Sequence, residues 1–425
     1  MSVIAGAGLA PTRSVLDSGL VVLAKQTTAT PAVTIHAMSC AGSVHDPADL
    51  PGVAHFVARV MDRGTETLSA DEIADQLDER GVSLAIRPNR HTTAITVDCL
   101  REDVDAMLAL VADVIRRPAF PEDQIALRRR EILTGLGQDE DNPAARATTE
   151  LFPLLYGPAH AYSRRPKGTP GSVERITGDD LVAFHQARFA PHRLSIAVVG
   201  DIEPARAVDE AARAFEDWRA AGAEDDPIPA PVPRTRREMR VVPMPSKAQA
   251  DIAYGFVTIT RTDPAYYAYL VMNTVLGQYG IGGRIGDALR ERQGLAYYAY
   301  SAFDPHVVAG PLMVRAGVDG ASVDRAVATI DAQVAAMAAD GPTDDELADT
   351  KRFLIGSLPR TLETNAGIAF FLQTAEHFGL GLDHDLRLPA LIEAVSRDAA
   401  HAAARQLSPD RAAIVVAGPY EGAPA

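Results

Sequence analysis

The chain has 425 residues, 47% of them hydrophobic and 23% charged, with a formal net charge of −15. These values fit a soluble globular protein long enough for two or more substantial cores, and they disfavour nucleic acid or an anionic membrane as partner. No run approaches membrane-spanning length, and Met1–Ser14 lacks the basic residues that open a secretory signal, so the cytoplasm is the expected location.

In chain order, Leu20–Ala24 and Val33–Met38 are short and rich in β-branched residues, as strands are, with Thr27–Pro31 as the loop between them. Gly52–Met61 reads as a short helix that Gly64 stops. Ser69-Ala-Asp-Glu72 is a capping box opening a helix that Gly81 ends. Ala94–Leu100 alternates like a strand, and Asp103–Ile115 has helical spacing with Val104, Met107, Leu108, Val111 and Ile115 on one face. Glu122–Leu136 is helical, and its Arg128-Arg-Arg130 triplet reads as a solvated face. Thr177-Gly-Asp-Asp180 caps a further helix, and Leu194–Val199 with Gly200 reads as a core strand and turn. Cys40 and Cys99, the only cysteines, sit in or beside strands and read as small hydrophobes rather than a disulfide.

The alternating prolines Pro227, Pro229, Pro231 and Pro233 make residues 220–237 a semi-rigid linker. Beyond it the chain repeats itself. Phe189-Ala-Pro191…Val-Val-Gly200 resembles Leu407-Ser-Pro409…Val-Ala-Gly418, and the spacing between the two prolines equals that between the two glycines. Two homologous α+β domains, 14–219 and 238–421, are therefore expected on either side of the linker. In the second, Val323, Val327, Ile330, Val334 and Met337 form an apolar helical stripe belonging to the core.

The chemistry sits in two stretches. The first is Gly52-Val-Ala-His55-Phe-Val-Ala58-Arg59, followed by Met61-Asp-Arg-Gly-Thr65. It resembles the Gly-x-Ala-His-Phe-x-Glu-His…Gly-Thr signature of the pitrilysin/insulinase family of zinc metallopeptidases, and most closely the short-chain, mitochondrial-processing-peptidase-like branch. In that H-x-x-E-H motif two histidines one helical turn apart hold zinc and the glutamate acts as general base. Here the base position is Ala58, without a proton acceptor, and the second ligand position is Arg59, a permanent cation. The family's distal glutamate ligand falls at Gly135, ahead of Asp141-Asn-Pro143. Only His55 keeps a donor, so no zinc is expected in this chain. His45, His91, His160 and His185 show no ligand spacing.

The second stretch, Gly282-Gly-Arg284…Leu-Arg290-Glu…Gly294-Leu-Ala-Tyr297, is similar to the family's Leu-Arg-Glu-x-x-Gly-Leu-x-Tyr segment. The resemblance implies that Arg290 and Tyr297 reach the substrate backbone and the developing oxyanion. Tyr298 and Tyr300 are rivals for the tyrosine role, because a one-residue slip exchanges the faces of a strand. Gly277–Gly283 fits no dinucleotide fingerprint and reads either as a mobile substrate loop or as a turn leading into a helix.

The resemblance covers nearly the whole chain and implies two halves in a clam-shell arrangement. It also implies a non-catalytic subunit that pairs with a homologous zinc-bearing peptidase chain and holds an extended peptide substrate. The alternatives are a structural or chaperone-like scaffold and a self-sufficient hydrolase with a relocated site; fold alone cannot separate them.

Overall fold

A computed structural model describes residues 8–223, 227–278 and 283–422. Six strands form one sheet: β1 (Thr12–Val15), β2 (Val21–Gln26), β3 (Ala32–Ser39), β4 (Leu84–Pro88), β5 (Thr93–Leu100) and β6 (Leu194–Gly200), in the order β1-β2-β6-β3-β5-β4. Five form a second: β7 (Glu238–Pro243), β8 (Ala250–Val257), β9 (Ala296–Phe303), β10 (Pro311–Val318) and β11 (Ala413–Gly418), in the order β7-β11-β8-β10-β9. In each sheet one pair is parallel, β2 with β6 and β7 with β11, and the other pairs are antiparallel. The fold is α+β, and the second sheet repeats the first without its β1 edge.

The repeat extends to register. Gly200 and Gly418 end the corresponding strands β6 and β11 with φ of +148° and +144°. A Cβ on Gly200 would stand 2.6 Å from Val33 Cα, and one on Gly418 would stand 2.4 Å from Ala250 Cα. Both positions need a left-handed backbone and a close approach that exclude a side chain, which is why both repeats keep glycine.

The chain forms two compact units that do not follow its halves. Unit one runs up to Leu136 and includes Arg165–Pro227 and Leu358–Arg387; unit two comprises Gly137–Arg164, Ile228–Ser357 and the chain from Leu388 onward. Each unit thus takes in a helix from the other half. In unit one, the strand residues Val33, Ile35 and Ala37 join the main core beneath the sheet. The opposite face is covered by the Asn365–His377 helix, whose Ile368, Ala369 and Leu372 pack on Leu23, Ala197 and Val199. Polar contacts fix its position. Gln373, 1% exposed, donates through Nε2 to the carbonyls of His36 (2.6 Å) and Ser195 (3.0 Å) and accepts from Ser195 Oγ (2.5 Å). Asn365 donates to Ala32 O at 3.0 Å and accepts from Thr27 Oγ1 at 2.7 Å, and Glu376 accepts two 2.8 Å bonds from Arg13.

In unit two the Pro143–Tyr156 helix has the matching place. Asn142 caps it, accepting from the amides of Ala144 and Ala145, and Pro143 occupies the first turn, where no amide donor is needed. Leu151 and Leu155 lie over Gly255 of β8, which leaves room for them by lacking a side chain. The Asn142-Pro143 pair of the metal-motif resemblance therefore retains a purely structural use.

Most elements fall where the sequence placed them. The Ser69 and Thr177 capping boxes are formed, and all five residues of the Val323–Met337 stripe are buried. Cys40 and Cys99 are both free thiols. The linker residues Pro229 and Arg234 are tied down within unit two: His160 Nε2 lies 2.9 Å from Pro229 O, and Arg234 donates to Leu154 O.

Gln373→Ala removes the donors to two buried carbonyls and opens a cavity beneath the Asn365–His377 helix. It should cost about 2–4 kcal/mol in denaturant unfolding, whereas the exposed Arg13→Ala should cost about 1 kcal/mol or less.

Candidate functional site

The first constellation is built on the Val53–Val60 helix of unit one. Its N-cap, Gly52, has no capping side chain and sits at φ +102° against the Gly168 backbone. The cap is supplied instead by buried Asp46, whose carboxylate accepts from Gly52 N at 2.7 Å and Ala54 N at 2.8 Å. Phe56, Val57 and Val60 anchor the inner face. His55 is half-buried, Ala58 is buried and Arg59 is exposed.

Arg59 turns toward the Glu122–Glu140 helix, the one that carries Gly135. Its Nη2 lies 3.3 Å from Glu131 Oε2, with both side chains roughly two-fifths exposed. Arg128 holds Glu131 more closely, at 2.7 and 2.6 Å. These hydrogen bonds, from Arg128 first and Arg59 second, keep the Glu131 carboxyl below the usual glutamate range. Nearby, burial pushes the Asp62 carboxyl up against the pull of Arg63, Arg128 and Arg59. Gly135 lies one turn beyond Glu131 with nothing within 4 Å of a Cβ built on it, so neither a ligand nor a substitute fills that position. Of the arginine triplet, Arg130 is exposed as expected of a solvated face, while Arg128 and Arg129 are half-buried. Arg128 is only 15% exposed, and Arg129 stacks over Phe56 at 5.2 Å while donating to Val173 O.

Zinc does not fit this donor set. Of the four motif positions only His55 offers a lone pair, and two guanidinium groups occupy the surroundings where a divalent cation would have to sit. Among the described residues no group of three or more His, Cys, Asp or Glu is arranged to hold a metal. His185 is a core residue: its Nε2 lies 2.8 Å from Ile115 O, its ring stacks on Phe189, and burial lowers its pKa to about 4.

The second constellation belongs to unit two. Arg290 lies in a π-helical turn, Asp287–Glu291, and its nearest acidic partner is Glu291 at 3.5 Å, both side chains being nearly half exposed. Gly294, at φ +61°, turns the chain back into β9. There the register breaks: Tyr298 pairs with Gly317, but Ala296 pairs with Val318, leaving Tyr297 as the extra residue of a β-bulge. Ala296 and Ala299 consequently both face the core, and Tyr297 is 84% exposed.

The bulge distinguishes the three tyrosines. Tyr298 donates to Asp251 of β8, and burial raises its phenol pKa; Tyr300 is 36% exposed and lies 5.9 Å from Tyr298, ring to ring. Of the expected glycine-rich loop, residues 279–282 lie outside the described residues. Its ends are packing glycines: a Cβ on Gly277 would meet Ser301 N at 2.7 Å, and one on Gly283 would meet Gly277 Cα at 2.6 Å. A cavity of about 940 Å3 in this unit lies elsewhere, beside Pro231, Tyr267 and Leu391, and neither Arg290 nor Tyr297 lines it.

Sequence and fold comparisons find relatives of the chain along nearly its whole length. Residues 21–157 match the insulinase (peptidase family M16) model, and residues 175–354 match the peptidase M16 inactive domain. An uncharacterized zinc protease of Mycobacterium leprae is 27% identical over 412 residues, covering 96% of this chain and 92% of its own length. A non-peptidase homolog of Helicobacter pylori is 26% identical, covering 80% of this chain and 77% of its own. A peptidase M16 inactive domain from Pseudomonas fluorescens superposes with a TM-score of 0.91 at 27% identity, over 97% of this chain and 99% of that one. The chain belongs to the M16 (insulinase) peptidase family.

Two predictions follow from the geometry. Because Ala58, Arg59 and Gly135 offer no lone pair where the motif needs donors, the purified chain should carry well under one zinc per molecule, and a chelator should leave its melting temperature unchanged. His185 folds as the neutral ring, so its stabilising contribution is complete above about pH 6.5 and is lost as pH falls toward 4. This amounts to roughly 3 kcal/mol at most. Replacing His185 with Phe should flatten the pH dependence of denaturant unfolding in that window.

Proposed function

We propose that this chain is the non-catalytic, substrate-holding subunit of a two-chain zinc endopeptidase of the processing-peptidase type. A homologous sister chain would supply the complete H-x-x-E-H helix and the metal. The observation that carries the reading is the contrast between the two constellations. The metal motif keeps one donor of its four groups, while Arg290 and Tyr297 both remain, unburied and, among the described residues, without a strong intramolecular partner to occupy them.

A guanidinium and a phenol are good donors to an oxyanion. Placed where charge develops in a water-poor site, each stabilises the transition state by a few kcal/mol. The bulge at Tyr297 suits that role, since it turns a strand residue outward without disturbing the core contacts of Ala296 and Ala299. The substrate would be an extended peptide or unfolded segment, whose backbone carbonyls are what such donors recognise.

The test is co-purification of this chain with its companion, followed by peptide cleavage by each chain and by the mixture. Only the mixture should cleave. Arg290→Ala combined with Tyr297→Phe should lower kcat/KM about a hundredfold while the two chains still associate. Unchanged turnover in that variant would instead mark the chain as a scaffold, and cleavage with stoichiometric zinc by this chain alone would refute the proposal.

A further inference from the structure

Three residues of the second sheet stand in one row. Tyr298 of β9 is opposite Gly317 of β10, and Gly317 is opposite Asp251 of β8. The row lies on the face away from the main core of the unit, to which the neighbouring strand residues Ile252, Ala316 and Ala299 belong. Adjacent strands are about 4.8 Å apart, so Tyr298 and Asp251 are separated by two such spacings. The tyrosine bridges them because the residue between has no side chain. A Cβ on Gly317 would stand 2.7 Å from Tyr298 Cε1, so the ring lies over the glycine, and its hydroxyl donates to the Asp251 carboxylate. Gln249 hydrogen-bonds the same carboxyl group. Asp251 is 4% exposed, and burial pushes its carboxyl up against the pull of Tyr298 and Arg315.

This row ends where the ladder becomes irregular. Between the pairs Ala299–Ala316 and Ala296–Val318, β10 has one residue, Gly317, and β9 has two, Tyr297 and Tyr298. Only one of the two tyrosines opposes the glycine; the other is the extra residue of the bulge and turns outward. Moving the bulge by one residue would leave both flanking alanine pairs in place, so the rest of the sheet does not choose between the two arrangements. The hydrogen bond to Asp251 belongs to whichever tyrosine lies over Gly317. Tyr298 holds that place, and Tyr297 is left 84% exposed.

We propose that Tyr298 is a positioning residue for Tyr297: by reaching over Gly317 to Asp251 it fixes the bulge at residue 297 and keeps the Tyr297 phenol turned outward. The purpose of this device rests on the subunit role proposed above, but its first test does not. Hydroxyl-radical footprinting of the full-length chain, resolved by residue with mass spectrometry, reads the exposure of both positions. In the unaltered protein Tyr297 should be modified at least about threefold faster than Tyr298. Tyr298→Phe removes the donor to Asp251, so Tyr297 should take the place over Gly317. Its rate should then fall at least about threefold while position 298 becomes reactive. Asp251→Leu, which removes the acceptor, should narrow the difference between the two positions, and Asp251→Asn, which keeps one, should preserve it. Equal rates in the unaltered protein, or unchanged rates in both Tyr298→Phe and Asp251→Leu, would overturn the inference. Where one of these variants does not fold, the other and the unaltered protein decide. In the two-chain mixture, Tyr298→Phe should lower kcat/KM as Tyr297→Phe does and add little to it. Footprints that exchange with no change in turnover would refute the role of Tyr297 in the subunit reading and leave the positioning itself standing.

Discussion

A β-sheet has two faces, and each half of this chain covers only one face of its own sheet. The central strands β6 and β11 are buried along almost their whole length, as their unbroken runs of Ile, Ala and Val require. The second face is closed by a helix from the other half of the chain, Asn365–His377 in unit one and Pro143–Tyr156 in unit two. The duplication makes the exchange reciprocal. Glycines at the matching ends of β6 and β11 keep the register on which both helices depend.

Within that frame the Val53–Val60 helix keeps its packing while Ala58 and Arg59 offer no metal donor. A bound zinc would draw the Val53–Val60 and Glu122–Glu140 helices together through its ligands. Here an ion pair, Arg59 with Glu131, spans the same two helices. Half-exposed pairs of this kind contribute little to stability, so the helices are held by packing around Phe56, Ile132 and Leu136 rather than by electrostatics. What the arginines do supply is a local field: with Arg63 and Arg128 nearby, a divalent cation at this place would meet repulsion.

Much of this was legible in the residues. Capping boxes, apolar spacing and the paired Pro-Gly signatures identified the elements and the repeat, because each is a local pattern with a local cause. That Ala58, Arg59 and Gly135 offer no metal donor was equally plain, since side-chain chemistry needs no coordinates to read. The helix exchange was not, because nothing local in Pro143–Tyr156 says which sheet it will cover. Arg128 and Arg129 misled for the same reason: a run of arginines looks solvated until Arg129 is found over the Phe56 ring and Arg128 paired with Glu131. At Tyr297 the alternation of β9 would have assigned the wrong face, as a single extra residue in the strand reverses the count.

The reciprocal helix exchange also bears on how such a chain comes to exist. Neither half, made by itself, could close its own sheet, so a backbone cut in the proline-rich strap would yield two fragments that complete one another rather than two independent folding modules.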